Sequence, residues 1–399
     1  MKALSIVALG TSLLFGTAAH SQTSVRIGVL TDLSGPYSDL SGEGSVIGTR
    51  LAIEEFQSRN KDITVEVVSA DHQNKPDIGG AIARKWFDQD GVDAVLDVAN
   101  SGVAMAVSQL AKDKDKVFLA TGTASSDLTG KACSPNTVHW TYDTYALSHG
   151  TGGALVKAGG DSWFFLTADY AFGHALERDT SAVVVKQGGK VAGSVRHPLN
   201  TSDFSSFLLQ AQAAKTKVIG LANAGGDTVN AIKQASEFGI TNSNTKLAAL
   251  LFFITDVHSL GLKTAHGLVM TEAYYWDLND GTRAFAKRFA EKAPGRQPSM
   301  IHAGAYSATL HYLKTIAASK SKSGSTVVSE MKKLPTKDVA FGEGSVREDG
   351  RKLHDMYLFE VKKPEESKGA WDYYKLLAKI PADDAFRPLA ESACPLVKK

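Results

Sequence analysis

Very little in this chain of 399 residues is set up for catalysis. It contains no GxSxG elbow, no HExxH helix, no CxxC pair and no Walker A loop, the patterns that place a nucleophile, a zinc ion, a redox couple or a nucleotide phosphate. Its eleven histidines are scattered. The nearest grouping, His258, His266, His302 and His311, has no ligand spacing, and Asp256 beside His258 lacks a third partner. Charge of one sign is missing as well. With 44 Lys and Arg against 42 Asp and Glu, the net charge is +2. That balance excludes the electrostatic footprint of a nucleic-acid or anionic-membrane binder. No later run is long and apolar enough for a transmembrane helix. No metal or cofactor is expected.

What is present begins with an export signal. Lys2 precedes an apolar run over residues 3–15, and Ala19-His20-Ser21 offers a small-x-small cleavage site, so residues 1–21 read as a removed signal peptide. No cysteine follows that site, and no lipid anchor is expected. In an exported chain the only two cysteines, Cys133 and Cys394, read as a disulfide tying the C-terminal tail to the first half. The length calls for two domains.

The chain is organised around residues 24–48, SVRIGVLTDLSGPYSDLSGEGSVIG. Val25, Ile27, Val29 and Leu30 predict a buried strand, Ser34-Gly35-Pro36-Tyr37 a turn, and Ser41-Gly42-Glu43-Gly44 the opening of a helix. The glycines miss the dinucleotide fingerprint, because Ile47 stands where its third glycine belongs. In the helix, Gly48 and Ala52 share a face that would let it lie close to the sheet. Further strands are predicted at 63–68, 94–98, 117–120, 163–166, 191–195, 218–222, 247–251 and 268–271. Helical patterns fill the gaps at 78–90, 103–112, 146–157, 175–187 and 229–238. Such alternation means parallel sheets covered on both faces. The pattern restarts after Asp143, so a second α/β lobe is expected, and residues 353–362 and 371–380 read as a closing hairpin.

In open α/β sheets, ligands bind at the carboxyl ends of the strands. The loops there carry Asn100-Ser101-Gly102 and Thr121-Gly122-Thr123-Ala124-Ser125-Ser126. These amides and hydroxyls suit a carboxylate, although ordinary helix capping explains Ser and Thr equally well at any one loop. The second half contributes Asp169-Tyr170-Ala171-Phe172-Gly173, Asn223-Ala224-Gly225-Gly226-Asp227 and Phe252-Phe253-Ile254-Thr255-Asp256.

At these loops the sequence resembles a known family. LTDLSGPYSDLSGEGSVIGTRLAIEEF, VFLATGTASSDLT, LTADYAFGHALERD and FITDVHSLGL look like the solute-binding proteins of the branched-chain amino-acid (Leu/Ile/Val-binding) type that serve ABC importers. HWTYDTYALSHG and TEAYYWDLNDGTRAF are similar to the branch that takes up aromatic and other organic acids. The likeness runs over nearly the whole mature chain. It implies a type I periplasmic binding-protein architecture: two doubly wound parallel-sheet lobes joined by three hinge crossovers. Residues 24–142 with 273–345 would form lobe 1, and 143–272 with 346–399 lobe 2.

By the same resemblance, Ser101 and Thr123 hold the ligand carboxylate, with Thr121 beside it and Tyr37 over the pocket. Tyr170 or Phe172 supplies the second-lobe wall, and Asn223, Gly225, Phe252 and Asp256 lie on lining loops. Asp256 or Asp143 would pair with an α-ammonium, whereas a ring of Phe252 and Phe253 favours an organic acid without one; both classes stay open. The implied role is a periplasmic, monomeric substrate-binding component that captures a small carboxylate and hands it to permease subunits. A ligand sensor for a receptor has the same fold, and an exported hydrolase would need a nucleophile or metal in the cleft.

Overall fold

A computed structural model describes residues 23–242 and 244–398; the expected signal peptide lies outside the described residues. The first sheet holds β1 (Thr23–Thr31), β2 (Ile63–Asp71), β3 (Ala94–Asp97), β4 (Val117–Ala120) and β5 (Thr137–His139), in the order β2-β1-β3-β4-β5. Every pair is parallel. Val25, Ile27, Val29 and Leu30 of β1 have no exposure, as a strand covered on both faces requires. The helix Gly42–Gln57 lies against the helix Met300–Ser319 rather than simply on the sheet. A Cβ on Gly44 would sit 2.2 Å from the His302 ring, and one on Gly48 2.4 Å from the His302 carbonyl oxygen. The small residues therefore serve a helix–helix approach.

The second sheet holds β6 (Ser162–Ala168), β7 (Lys190–His197), β8 (Val218–Ala222) and β9 (Lys246–Ala249), in the parallel order β7-β6-β8-β9. It is followed by β10 (Val269–Glu272). The chain then returns to the first lobe, where the helices Asp280–Lys292 and Met300–Ser319 pack on the helix Gly42–Gln57. Short strands β11 (Thr336–Asp338), β12 (Gly342–Val346) and β13 (Lys352–Leu353) form an antiparallel patch. Finally β14 (Met356–Val361) and β15 (Tyr374–Ile380) make the hairpin predicted at 353–380, and β14 pairs with β10.

The chain thus passes between lobes around residues 140–143, 273–279 and 347–355. The first and third passages are bound together: His139 N donates to the Gly350 carbonyl at 2.9 Å, and the buried Arg351 guanidinium donates to the Tyr142 carbonyl at 3.0 Å. Cys133 and Cys394 are disulfide-bonded, 261 residues apart, so the tail after β15 is tied to the first lobe.

Candidate ligand-binding cleft

The carboxyl ends of both parallel sheets face one another across a cleft, and each loop there is shaped by a buried polar residue at or just beyond the strand end. Asp32, following β1, accepts from Gly35 N at 2.7 Å, Tyr37 N at 2.9 Å and Asn74 Nδ2 at 2.7 Å. That closes the Ser34–Tyr37 turn and aims the Tyr37 ring at the second lobe. After β3, Asn100 Oδ1 accepts from Gly102 N at 2.9 Å and Val103 N at 3.1 Å, capping the helix Ser101–Asp113. After β4, Thr123 Oγ1 donates to the Val98 carbonyl at 2.6 Å and stitches the two loops together. From the first passage, Tyr142 OH donates to the Gly122 carbonyl at 2.8 Å.

The first lobe presents Tyr37, Leu40, Ala99, Gly122, Ala124 and Tyr142; the second presents Tyr170, Phe172, Ala224, Leu251 and Phe253. No lining side chain carries a formal charge. Between them the centre of a water-sized sphere can move over about 10 Å³, roughly one water site. The lobes are shut upon each other. Tyr37 OH lies 2.5 Å from Tyr170 OH, and Gly226 N donates to the Pro36 carbonyl at 3.1 Å. Nearer the passages, Ser126 Oγ donates to Asp179 Oδ2 at 2.6 Å, and Arg178 pairs with Asp127 at 3.1 Å. Burial, first of all, raises the pKa of Tyr37, Tyr142 and Tyr170 above the ordinary phenol value. All three therefore act as neutral hydrogen-bonding groups at neutral pH.

Of the residues named from the sequence, Tyr37, Tyr170 and Phe172 are brought together on the cavity. Gly225 lies at the seam between lobes, with φ +56° and the Pro36 carbonyl pressed against it. The others face elsewhere. The Thr123 hydroxyl is turned to Val98, and the buried Thr121 hydroxyl points toward Asp97 Oδ1 at 3.4 Å. Ser101 Oγ accepts from Ser125 N at 3.3 Å. Asn223 holds its own loop, accepting from Thr228 Oγ1 at 2.6 Å and meeting His197 Nε2 at 3.0 Å.

Phe252 is buried in the second lobe's core, and the next residue, Phe253, faces the cavity. Asp143 Oδ1 accepts from Ala146 N at 2.8 Å as the cap of the short helix Thr144–Leu147. Asp256 Oδ2 likewise accepts from Phe253 N at 3.0 Å. The residues missed alternate with those chosen. Gly122 and Ala124 border the cavity, while the Thr121 and Thr123 hydroxyls are turned to the strand end; Gly122 does so by its backbone, since a Cβ there would point at Asp97 Oδ1.

The family model described as "Periplasmic binding protein" matches residues 24–370. The "Leu/Ile/Val-binding protein homolog 6" of Brucella melitensis biotype 1 is 27% identical over 375 residues, covering 92% of this chain and 94% of that one. A periplasmic binding protein from Burkholderia mallei, known from its crystal structure, superposes with a TM-score of 0.91 at 50% identity over 94% of this chain and 99% of that one. A crystal structure described as a branched chain amino acid ABC transporter periplasmic ligand-binding protein, from Burkholderia xenovorans LB400, gives a TM-score of 0.83 at 40% identity, covering 94% and 100%.

Proposed function

The chain belongs to the periplasmic binding protein family, and from that premise we propose that it is the substrate-binding component of an ABC importer, working as a monomer in the periplasm. It captures a small organic acid without an α-ammonium group and delivers it to permease subunits; it does not transform it. In this reading residues 24–142 with 273–345 form one lobe and 143–272 with 346–399 the other. Ligand seats on the first lobe, and rotation about the passages brings Tyr170, Phe172 and Phe253 over it. Only the closed form touches ligand from both sides, so ligand shifts the balance toward closure.

One observation carries the choice of ligand class. No acidic side chain lines the cavity, and both carboxylates eligible to meet an ammonium group, Asp143 and Asp256, are engaged as caps. A desolvated ammonium without a counter-charge is strongly disfavoured. A carboxylate fares better, because the backbone amides of Ala99 and Ala124 take no acceptor among the described residues and the one phenol proton left over by the Tyr37–Tyr170 pair can join them. The apolar walls suit an aromatic or branched body.

The competing reading is an amino-acid binder, which the names of the Brucella and B. xenovorans relatives favour. A thermal-shift screen decides between them, pairing leucine with 4-methylpentanoate and phenylalanine with benzoate and phenylpropanoate. At 100 times the Kd a ligand adds about 2.7 kcal/mol, which raises the melting temperature of a chain this long by about 3 °C. A rise confined to the acids lacking nitrogen is expected. A rise confined to amino acids overturns the choice, and turnover of any bound acid overturns the binding role.

A further inference from the structure

Asp97 stands at the carboxyl end of β3 with no exposure. Its φ is +83°, and Val98 follows at +59°, two consecutive non-glycine residues in the left-handed region. A β-branched residue rarely adopts that conformation, and such strain persists only where the surroundings impose it. The outcome of the turn is a carboxyl group beneath the first-lobe wall. A Cβ on Gly122 would lie 2.5 Å from Asp97 Oδ1 and 3.1 Å from the Ala99 Cα, and both Gly122 and Ala99 line the cavity.

Asp97 is also poorly satisfied. Among the described residues Oδ2 has no hydrogen-bond partner, and Oδ1 is 3.4 Å from Thr121 Oγ1. The groups facing it are Thr31 from β1, Ser41 and Ser45 from the helix Gly42–Gln57, Thr121 from the loop after β4, and the Tyr142 phenol from the first passage. None is cationic. Of the neighbouring titratable groups, His302 on the helix Met300–Ser319 is bonded to the Ser41 carbonyl instead. Burial holds the Asp97 carboxyl up at about 6, with the hydroxyls pulling the other way.

We propose that Asp97 is a specificity-determining residue that makes acid capture proton-linked: an anionic ligand on the Ala99 and Ala124 amides enters together with one proton on Asp97. This rests on the acid-binding reading above. The proton comes from solvent and forms the carboxyl O–H bond; no other bond changes. The physical cause is that a second carboxylate at short range in a dry site disfavours ionisation of the first. With Asp97 ionised the wall favours neutral ligands, and with Asp97 protonated it accepts anions. The isosteric amide of the same acid carries no such linkage.

The test is calorimetric titration from about pH 5.5 to about pH 8, in paired buffers of different ionisation heat. The probes are benzoate and 4-methylpentanoate with their amides. The acids are expected to bind with uptake of up to one proton each, and their affinity to fall by up to about tenfold per pH unit above about 6. The amides should show neither effect. Asp97→Asn should abolish the uptake and bind acid more tightly than the unaltered protein at about pH 8. Acid binding without proton uptake overturns the proposal, as does an Asp97→Asn variant that loses affinity equally at every pH. Should that variant fail to fold, proton uptake by the unaltered protein still decides. Failure of every acid to bind at any pH would sink the acid-binding reading and this inference with it.

Discussion

Replacing Gly225 by alanine should cost ligand affinity out of proportion to stability. Gly225 has φ +56° and ψ −133° where the chain leaves β8. Alanine there carries two separable penalties. Backbone strain, about 1–3 kcal/mol, is present whether the lobes are open or shut and lowers only stability. The second penalty exists only on closure, when the new Cβ would lie 2.4 Å from the Pro36 carbonyl oxygen, 3.0 Å from Leu40 Cδ2 and 3.1 Å from Tyr37 Cδ1.

The first distance is about 1 Å short of ordinary contact, and a backbone carbonyl cannot swing aside. Parting the lobes by that much breaks the Gly226–Pro36 bond at 3.1 Å and the Tyr37–Tyr170 bond at 2.5 Å. At about 1 kcal/mol net each, the loss is about 2 kcal/mol, or roughly 30-fold in Kd. Gly239→Ala is the control: its φ is +70° and, among the described residues, nothing lies within 4 Å of the added Cβ. Urea denaturation should show both variants destabilised, while calorimetric titration with the acid found by the thermal-shift screen should show weakened binding for Gly225→Ala alone. Equal affinities in the two variants would refute the closed-seam argument.

Tyr37→Phe and Tyr170→Phe should each weaken binding several-fold, and the double variant less than additively, since both remove one bond; additive losses would mean that the hydroxyls act separately. Asp256→Asn should leave ligand affinity unchanged, because its oxygen still caps Phe253 N and the side chain lies off the cavity. Burial raises the folded pKa of Asp256 to about 7, against about 3.9 unfolded. The folded state therefore binds the extra proton between those values, and stability falls as pH rises through that window. Denaturation of the asparagine variant should lack this slope, gaining on the order of 1–4 kcal/mol above neutrality. Conversely, burial lowers the pKa of His302 to about 3, so its contribution is complete above about 6.5 and lost on acidification. His302→Gln should flatten the acid limb of the stability profile. Reduction of Cys133–Cys394 should lower stability by about 2–4 kcal/mol, read as a fall in melting temperature with reductant.

The strands that were legible in the sequence are those buried on both faces. Residues 117–120 and 218–222 match β4 and β8 to the residue, because uninterrupted apolar runs flanked by turn residues leave little freedom. Strand β5 and the β11–β13 patch went unread, being only two to five residues long and polar. The cleft was legible at the level of loops and not of side chains. Thr121 and Thr123 attract attention as ligand donors, but a buried strand end has carbonyls of its own to satisfy, and Val98 claims the Thr123 hydroxyl. Positions on the cavity are held by Gly122, Ala124, Ala99 and Ala224, residues whose contribution is the absence of bulk and so leaves no chemical mark. Phe252 and Phe253 are alike in composition, and only strand register separates core from cavity.

The bond between Cys133 and Cys394 has a topological consequence. It closes the polypeptide into a covalent ring that contains all three passages between the lobes. A protease that severs any one of them leaves two fragments, one holding Cys133 and the other Cys394, still joined through sulfur. Such a nicked molecule would migrate as one species without reductant and as two with it. The seam would still be able to open and shut, because the disulfide and the two uncut passages keep the lobes beside each other. Exposure to proteases, then, need not end the working life of the protein so long as its surroundings stay oxidising.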